Sequence, residues 1–250
     1  MSRWAALVLV ALSLLFGAFP YSLARAAEEV DLLLVLAADV SRSIDDQKFE
    51  LERRGYAAAL GDPRVLQAIA AGPHGRIAIA FVEWAGANSQ KLLIDWTLIK
   101  DVEDTKLFTS RLLEQPRSFA DRTAIGAGID FARAQFAKAP YTSDRRVIDV
   151  SGDGTNNSGR DVRSARDEAV SNDVTTINGL VIFSDAPIPY NPEHTNPPGG
   201  LDNYYRENVI GGTNAFVMVA ENFDSFGKSI VAKLIREISA APPTLGNSHG

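Results

Sequence analysis

Short aliphatic runs punctuate this chain, and between them apolar residues return every third or fourth position. Residues 30–37 are aliphatic except for Asp31 and lead straight to Asp39. Such a run suits a strand buried on both faces of a parallel sheet, here the central one. Residues 46–60 follow with Phe49, Tyr56 and Leu60 on one helical face, and a shorter helix is predicted over 63–71, ended by Gly72-Pro73. Residues 76–84 and 91–96 read as strands, joined by a loop short enough for an antiparallel hairpin.

Beyond this point the alternation becomes regular. Helices are predicted over 101–114, 124–137 and 161–172, strands over 146–151, 175–183 and 215–219, and a final amphipathic helix capped by Asn222 runs to 238. Strands alternating with helices predict an α/β fold: a doubly wound, mostly parallel central sheet with one antiparallel edge strand and helices on both faces. The stretch 184–212 breaks the rhythm with five prolines (187, 189, 192, 197, 198), a Tyr204-Tyr205 pair and Gly211-Gly212. It reads as an insertion, and a loop this long in a compact domain is usually functional or mobile. Residues 240–250, with Pro242-Pro243, are expected to form a flexible tail.

The first residues change the picture of where the chain works. Arg3 precedes an apolar run from Ala5 to Phe19, and Ala24-Arg25-Ala26 supplies a small-x-small cleavage site. That run falls short of the ~20 residues a membrane-spanning helix needs, so residues 1–26 read as a signal peptide removed on export rather than as a retained anchor. A periplasmic or secreted domain over 27–239 is then expected, meeting the membrane only during export. Losing Arg3 and Arg25 takes the formal net charge from −6 to −8, which disfavours nucleic acid and anionic lipid as partners. The absence of cysteine excludes disulfides, cysteinyl zinc sites, thiol catalysis and a lipoprotein anchor.

Chemistry concentrates where predicted strands end. Asp39, Ser41 and Ser43 alternate along the segment leaving the first strand, so extended backbone points them to one side. A carboxylate with two hydroxyls is a hard, oxygen-only donor set suited to Mg²⁺ or Mn²⁺. Ligands in open α/β sheets gather at the carboxyl ends of strands, where Thr123, before a helix, and Asp153-Gly154, after a strand, should join them. Each piece also has a plainer reading. Ser43 followed by Asp46 matches a capping box, Thr123 an N-cap, and Asp153-Gly154 a turn. His74, His194 and His249 show no metal spacing, and no Gly-x-Ser-x-Gly elbow is present, so no catalytic constellation is predicted.

Taken together, Asp-x-Ser-x-Ser after a buried strand, Thr123 with Gly126 opening a helix, and Asp153-Gly154 after the next strand resemble the metal-ion-dependent adhesion site of von Willebrand factor A domains. The resemblance extends from Val30 to about Ile238. It implies that Asp39, Ser41, Ser43, Thr123 and Asp153 hold the cation, and that one coordination position stays open for a partner's carboxylate. Arg42 stands where the family usually has glycine, and Gly152 where it often has Ser, Thr or Asp. The expected function is a protein-binding module that bridges through Mg²⁺ or Mn²⁺ to an Asp or Glu of another protein, with Arg42, Tyr204 and Tyr205 flanking the contact. The alternatives are a metal-dependent phosphoester hydrolase, whose motif lacks an obvious base, and a metal-free structural domain.

Overall fold

The computed structural model describes residues 27–173, 175–183 and 191–240. The leader at 1–26, the first positions of the insertion and the tail after 240 lie outside the described residues. In chain order the elements are β1 (Glu28–Glu29), β2 (Leu33–Asp39), α1 (Asp46–Leu60), α2 (Pro63–Ala70), β3 (Ile77–Trp84), β4 (Gln90–Ile99), α3 (Val102–Glu114) and α4 (Ile125–Phe136). They continue with β5 (Tyr141–Thr142), β6 (Arg146–Gly152), α5 (Val162–Asp173), β7 (Thr175–Ile182), α6 (Pro192–Thr195), α7 (Leu201–Asn208), β8 (Val217–Ala220) and, after a single 3-10 turn at Phe223–Ser225, α8 (Phe226–Ser239).

Six strands form the main sheet in the order β4-β3-β2-β6-β7-β8. Every neighbouring pair is parallel except the β3–β4 hairpin. The pair β1–β5 makes a separate two-stranded ribbon.

The aliphatic runs are continuous because β2 is covered twice. Leu34, Leu36 and Ala38 pack with Tyr56, Leu60, Ile230 and Leu234 from α1 and α8 on one face. Leu33, Val35 and Ala37 pack with Ile125, Ile129, Ala165 and Ala169 from α4 and α5 on the other. Successive strand side chains point to opposite faces, so a strand between two helical layers must be apolar at every position. Both strand tryptophans belong to this core, their indole N–H groups donating to Ala37 O and Gln135 O at 3.0 Å each.

The insertion departs from the loop predicted for it. Its described part carries two short helices, and Leu201, Tyr205 and Val209, four residues apart, turn one buried face into the core beside α5 and β7. Among the described residues no helix is long and apolar enough to cross a membrane.

The chain runs from β2 outward to β3 on one side and from β6 outward to β7 and β8 on the other. The order of strands therefore reverses between β2 and β6, which opens a crevice at their carboxyl ends.

Candidate metal centre

That crevice collects the three segments that carry the predicted ligands. Asp39 is the last residue of β2, and its Oδ1 accepts the Ser41 amide at 2.7 Å, which curls the loop so that both side chains stay on one side. The loop backbone is fixed from outside: Val40 N donates to Trp84 O, Arg42 N to Asp121 O, and Arg117 Nη2 to the carbonyls of Val40 and Ser41 at 2.8 and 2.6 Å. Ser41 Oγ lies 3.0 Å from Ser43 Oγ, and Ser43 Oγ donates to Asp153 Oδ1 at 2.5 Å.

The capping readings of Ser43 and Thr123 do not hold. The helix α1 is capped by the side chain of Asp45, which accepts the Lys48 amide, so Ser43 is left to face Asp153. The N-cap position of α4 is Ala124, without a side-chain cap, so the Thr123 hydroxyl is likewise not spent on the helix.

Asp39, Ser41, Thr123 and Asp153 are buried, and Ser43 is half-buried. Burial first, and then the neighbouring Asp153, push the Asp39 carboxyl up to about 8, against the lowering effect of the Ser41 hydrogen bonds and Arg117. Asp153 is raised as well, chiefly by burial, while the Ser43 hydrogen bond and Lys48, whose ammonium stands 3.8 Å from Oδ2, pull it back. Oδ2 of Asp39 and Oδ2 of Asp153 have no hydrogen-bond partner. Two buried carboxylates that strain against ionising, each with an oxygen that makes no hydrogen bond among the described residues, stand with the Ser41 and Ser43 hydroxyls as a donor set that fits a hard divalent cation, while the Thr123 hydroxyl is placed against His194. A cation held by these five residues would restore both carboxylates to their charged forms.

Two residues from the insertion complete the surroundings, and no spacing rule reaches them. The Thr123 hydroxyl is 3.2 Å from His194 Nε2. The His194 carbonyl accepts the Thr155 amide at 2.8 Å, and its Nδ1 faces Thr155 Oγ1 at 3.3 Å and Asn157 Nδ2 at 3.5 Å. Burial lowers the pKa of this imidazole, opposed by the Thr155 hydrogen bond. Tyr205 is fully buried, so it faces inward rather than toward a partner. A Cβ at Gly152 would lie 2.5 Å from its hydroxyl and 3.1 Å from Asp39 Oδ2, while a Cβ at Gly154 would overlap the His194 ring. The glycines on either side of Asp153 are thus the signal: they leave room for the insertion to reach the site. Tyr204 is half-buried, its hydroxyl accepting the Asn156 amide at 3.1 Å. Arg42 remains exposed beside the site, donating from Nε to Ala120 O at 3.1 Å.

Comparison with known proteins places this fold. Proximal thread matrix protein 1 from the mussel byssus superposes with a TM-score of 0.61 at 13% identity, over 84% of this chain and 49% of that one. A second structure of it, with a zinc occupied MIDAS motif, gives 0.57 at 15% identity, over 85% and 49%. The pilus adhesin SpaC from Lactobacillus rhamnosus GG gives 0.56 at 11% identity over 86% and 31%, and a von Willebrand factor type A protein from Catenulispora acidiphila 0.52 at 14% over 84% and 43%. The chain therefore spans half or less of the length of these structures, and its fold is von Willebrand A-like. No curated protein matches it by sequence. A family model described as a protein of unknown function (DUF1194) matches residues 29–242.

Proposed function

This chain belongs to the DUF1194 family of proteins of unknown function, and we propose that it is an exported protein-binding module whose cation bridges to a carboxylate of its partner. The observation that supports the proposal is the pair of buried carboxylates, Asp39 and Asp153, each with an oxygen that makes no hydrogen bond among the described residues, at the point where the strand order reverses. Ser41, Ser43 and Thr123 offer neutral oxygens. Two carboxylates roughly neutralise a divalent ion without saturating it, so it retains attraction for one further anionic oxygen. Mg²⁺ or Mn²⁺ suits the five oxygens. The relative with a zinc occupied MIDAS motif and the pilus adhesin among the similar folds support the reading, the first for the metal and the second for adhesion.

Arg42 is the exposed cation nearest the loop and is the residue proposed to meet an acidic partner directly. In the same reading residues 1–26 direct export and are removed before Ala27, leaving a domain over 27–239 in the periplasm or outside the cell. The intact mass of exported protein checks this; a full-length species held in the membrane would overturn it.

The functional test is capture of partners from an envelope fraction by immobilised wild type, Asp39→Ala and Thr123→Ala, each with Mg²⁺ or with EDTA. Capture by the wild type in Mg²⁺ alone is expected. The same partners in all six conditions would sink metal bridging, and metal-dependent phosphoester hydrolysis by the wild type would favour an enzyme instead.

A further inference from the structure

We propose that His194, carried to the site by the insertion, is a positioning residue that accepts a hydrogen bond from the Thr123 hydroxyl and so presents that oxygen's lone pairs to the cation. This rests on the cation reading above.

A hydroxyl that coordinates a cation must turn its hydrogen elsewhere, and a buried hydrogen needs an acceptor. His194 Nε2, 3.2 Å from Thr123 Oγ1, is in place to be that acceptor. The role requires the tautomer with hydrogen on Nδ1, and Thr155 Oγ1, 3.3 Å from Nδ1, can accept that hydrogen. Asn157 opposes it: its Oδ1 is engaged by the Thr123 amide at 2.9 Å, so the Nδ2 that faces Nδ1 at 3.5 Å can only donate, and without a cation it favours hydrogen on Nε2. A cation drawing on the Thr123 lone pairs would select the relay Thr123 Oγ1–H to His194 Nε2, then Nδ1–H to Thr155 Oγ1.

The imidazole itself is held on several sides. Its backbone carbonyl is tied to Thr155 N, its ring lies against Gly154, and the return pair Asn157 N to Thr123 O locks the loop carrying Asn157 to the ligand it serves. The same insertion seats Tyr205 against Gly152. The insertion thus supports the ligand shell from both sides of Asp153. Outer partners of this kind typically account for about 10–100-fold of metal affinity.

Calorimetric titration with Mg²⁺, Mn²⁺ and Zn²⁺ on the full chain tests the proposal. His194→Leu fills the ring's volume without an acceptor and should weaken all three ions by about 10–100-fold. His194→Gln, whose amide oxygen can replace Nε2, should recover most of that loss. In the combination Thr123→Val with His194→Leu the second change should add nothing to the first, since the imidazole acts only through the hydroxyl. Wild-type binding that His194→Leu leaves unaltered would overturn the inference, as would additive losses. A loss confined to Zn²⁺ would also overturn it, making the imidazole a ligand. If His194→Leu does not fold, Thr155→Val removes the far end of the relay and should lower the affinity for all three ions in the same direction; unchanged affinity there rejects the relay. A wild type that binds none of the ions rejects the cation reading itself, a separate result.

Discussion

Single carboxyls around the crevice report its electrostatics. Glu52, on α1, is buried and accepts the Ser151 hydroxyl at 2.9 Å, and Ser151 in turn accepts the Tyr56 hydroxyl at 3.0 Å. Burial raises its pKa from 4.5 to about 8, the Ser151 hydrogen bond opposes the rise, and Asp39 adds to it. Between those two values the folded protein retains a proton that the unfolded chain has released. Stability contributed by this group is therefore complete below about pH 4.5 and is lost as pH rises toward 8. Glu52→Gln keeps an oxygen for Ser151 but cannot ionise. In EDTA its stability should fall less steeply than that of the wild type over this window, by up to about 1.4 kcal/mol per pH unit. Urea unfolding at a series of pH values measures it, and parallel curves for the two proteins would show that Glu52 titrates normally.

Contacts between elements rest on small spaces and buried pairs. The insertion reaches the crevice because Gly154 offers no side chain to the His194 ring, so Gly154→Ala should force the ring out and loosen α6. Amide exchange over 191–208 should then quicken while β2 and β6 keep their protection, and unchanged exchange in the insertion would contradict this dependence. At the other side of α1, Arg53 forms a buried ion pair with Glu83 of β3, donates to Leu112 O of α3 at 2.7 Å, and lies over the Phe49 and Phe81 rings. Glu83 also accepts the Ser118 amide at 2.9 Å. One pair thereby joins a helix, a strand and the segment after another helix. Glu83→Ala strands a buried guanidinium and should cost about 3–5 kcal/mol, whereas Arg53→Met with Glu83→Leu should cost clearly less. Equal losses in urea melts of the two proteins would mean that the geometry of the pair matters more than its stranded charge.

For the molecule as a whole, the doubly wound sheet was legible because strands buried on both faces cannot hide their composition: the runs at 30–37, 146–151 and 175–183 became β2, β6 and β7. The Asp-x-Ser-x-Ser loop was legible as a cluster, but not through the extended backbone expected for it: β2 ends at Asp39 and residues 41–44 turn, Ile44 N donating to Ser41 O at 3.1 Å, and it is in this turn that the Ser41 and Ser43 hydroxyls meet. His194 was not, because its tie to Thr123 joins residues 71 positions apart and depends on the path of the whole insertion. Nor was the inward turn of Tyr205, although Leu201, Tyr205 and Val209 already spelled one helical face. A chain without cysteine has no disulfide to draw on, and without a cation the crevice works against the fold, since burial and the neighbouring Asp153 raise the cost of ionising Asp39. Cation binding should therefore be felt globally. At free metal about one hundred times the dissociation constant, linkage gives about 2.7 kcal/mol. For a domain of this size each kcal/mol moves the midpoint by roughly 2–4 °C, so thermal melts in Mg²⁺ or Mn²⁺ should rise by roughly 5–10 °C over those in EDTA. Asp39→Ala removes both the ligand and the repulsion. It should melt above the wild type in EDTA and show no rise with metal, so that the two curves cross as metal is added. A wild type indifferent to the ions would reject the cation reading, and an Asp39→Ala protein that still gains the full rise would place the cation somewhere other than these five residues.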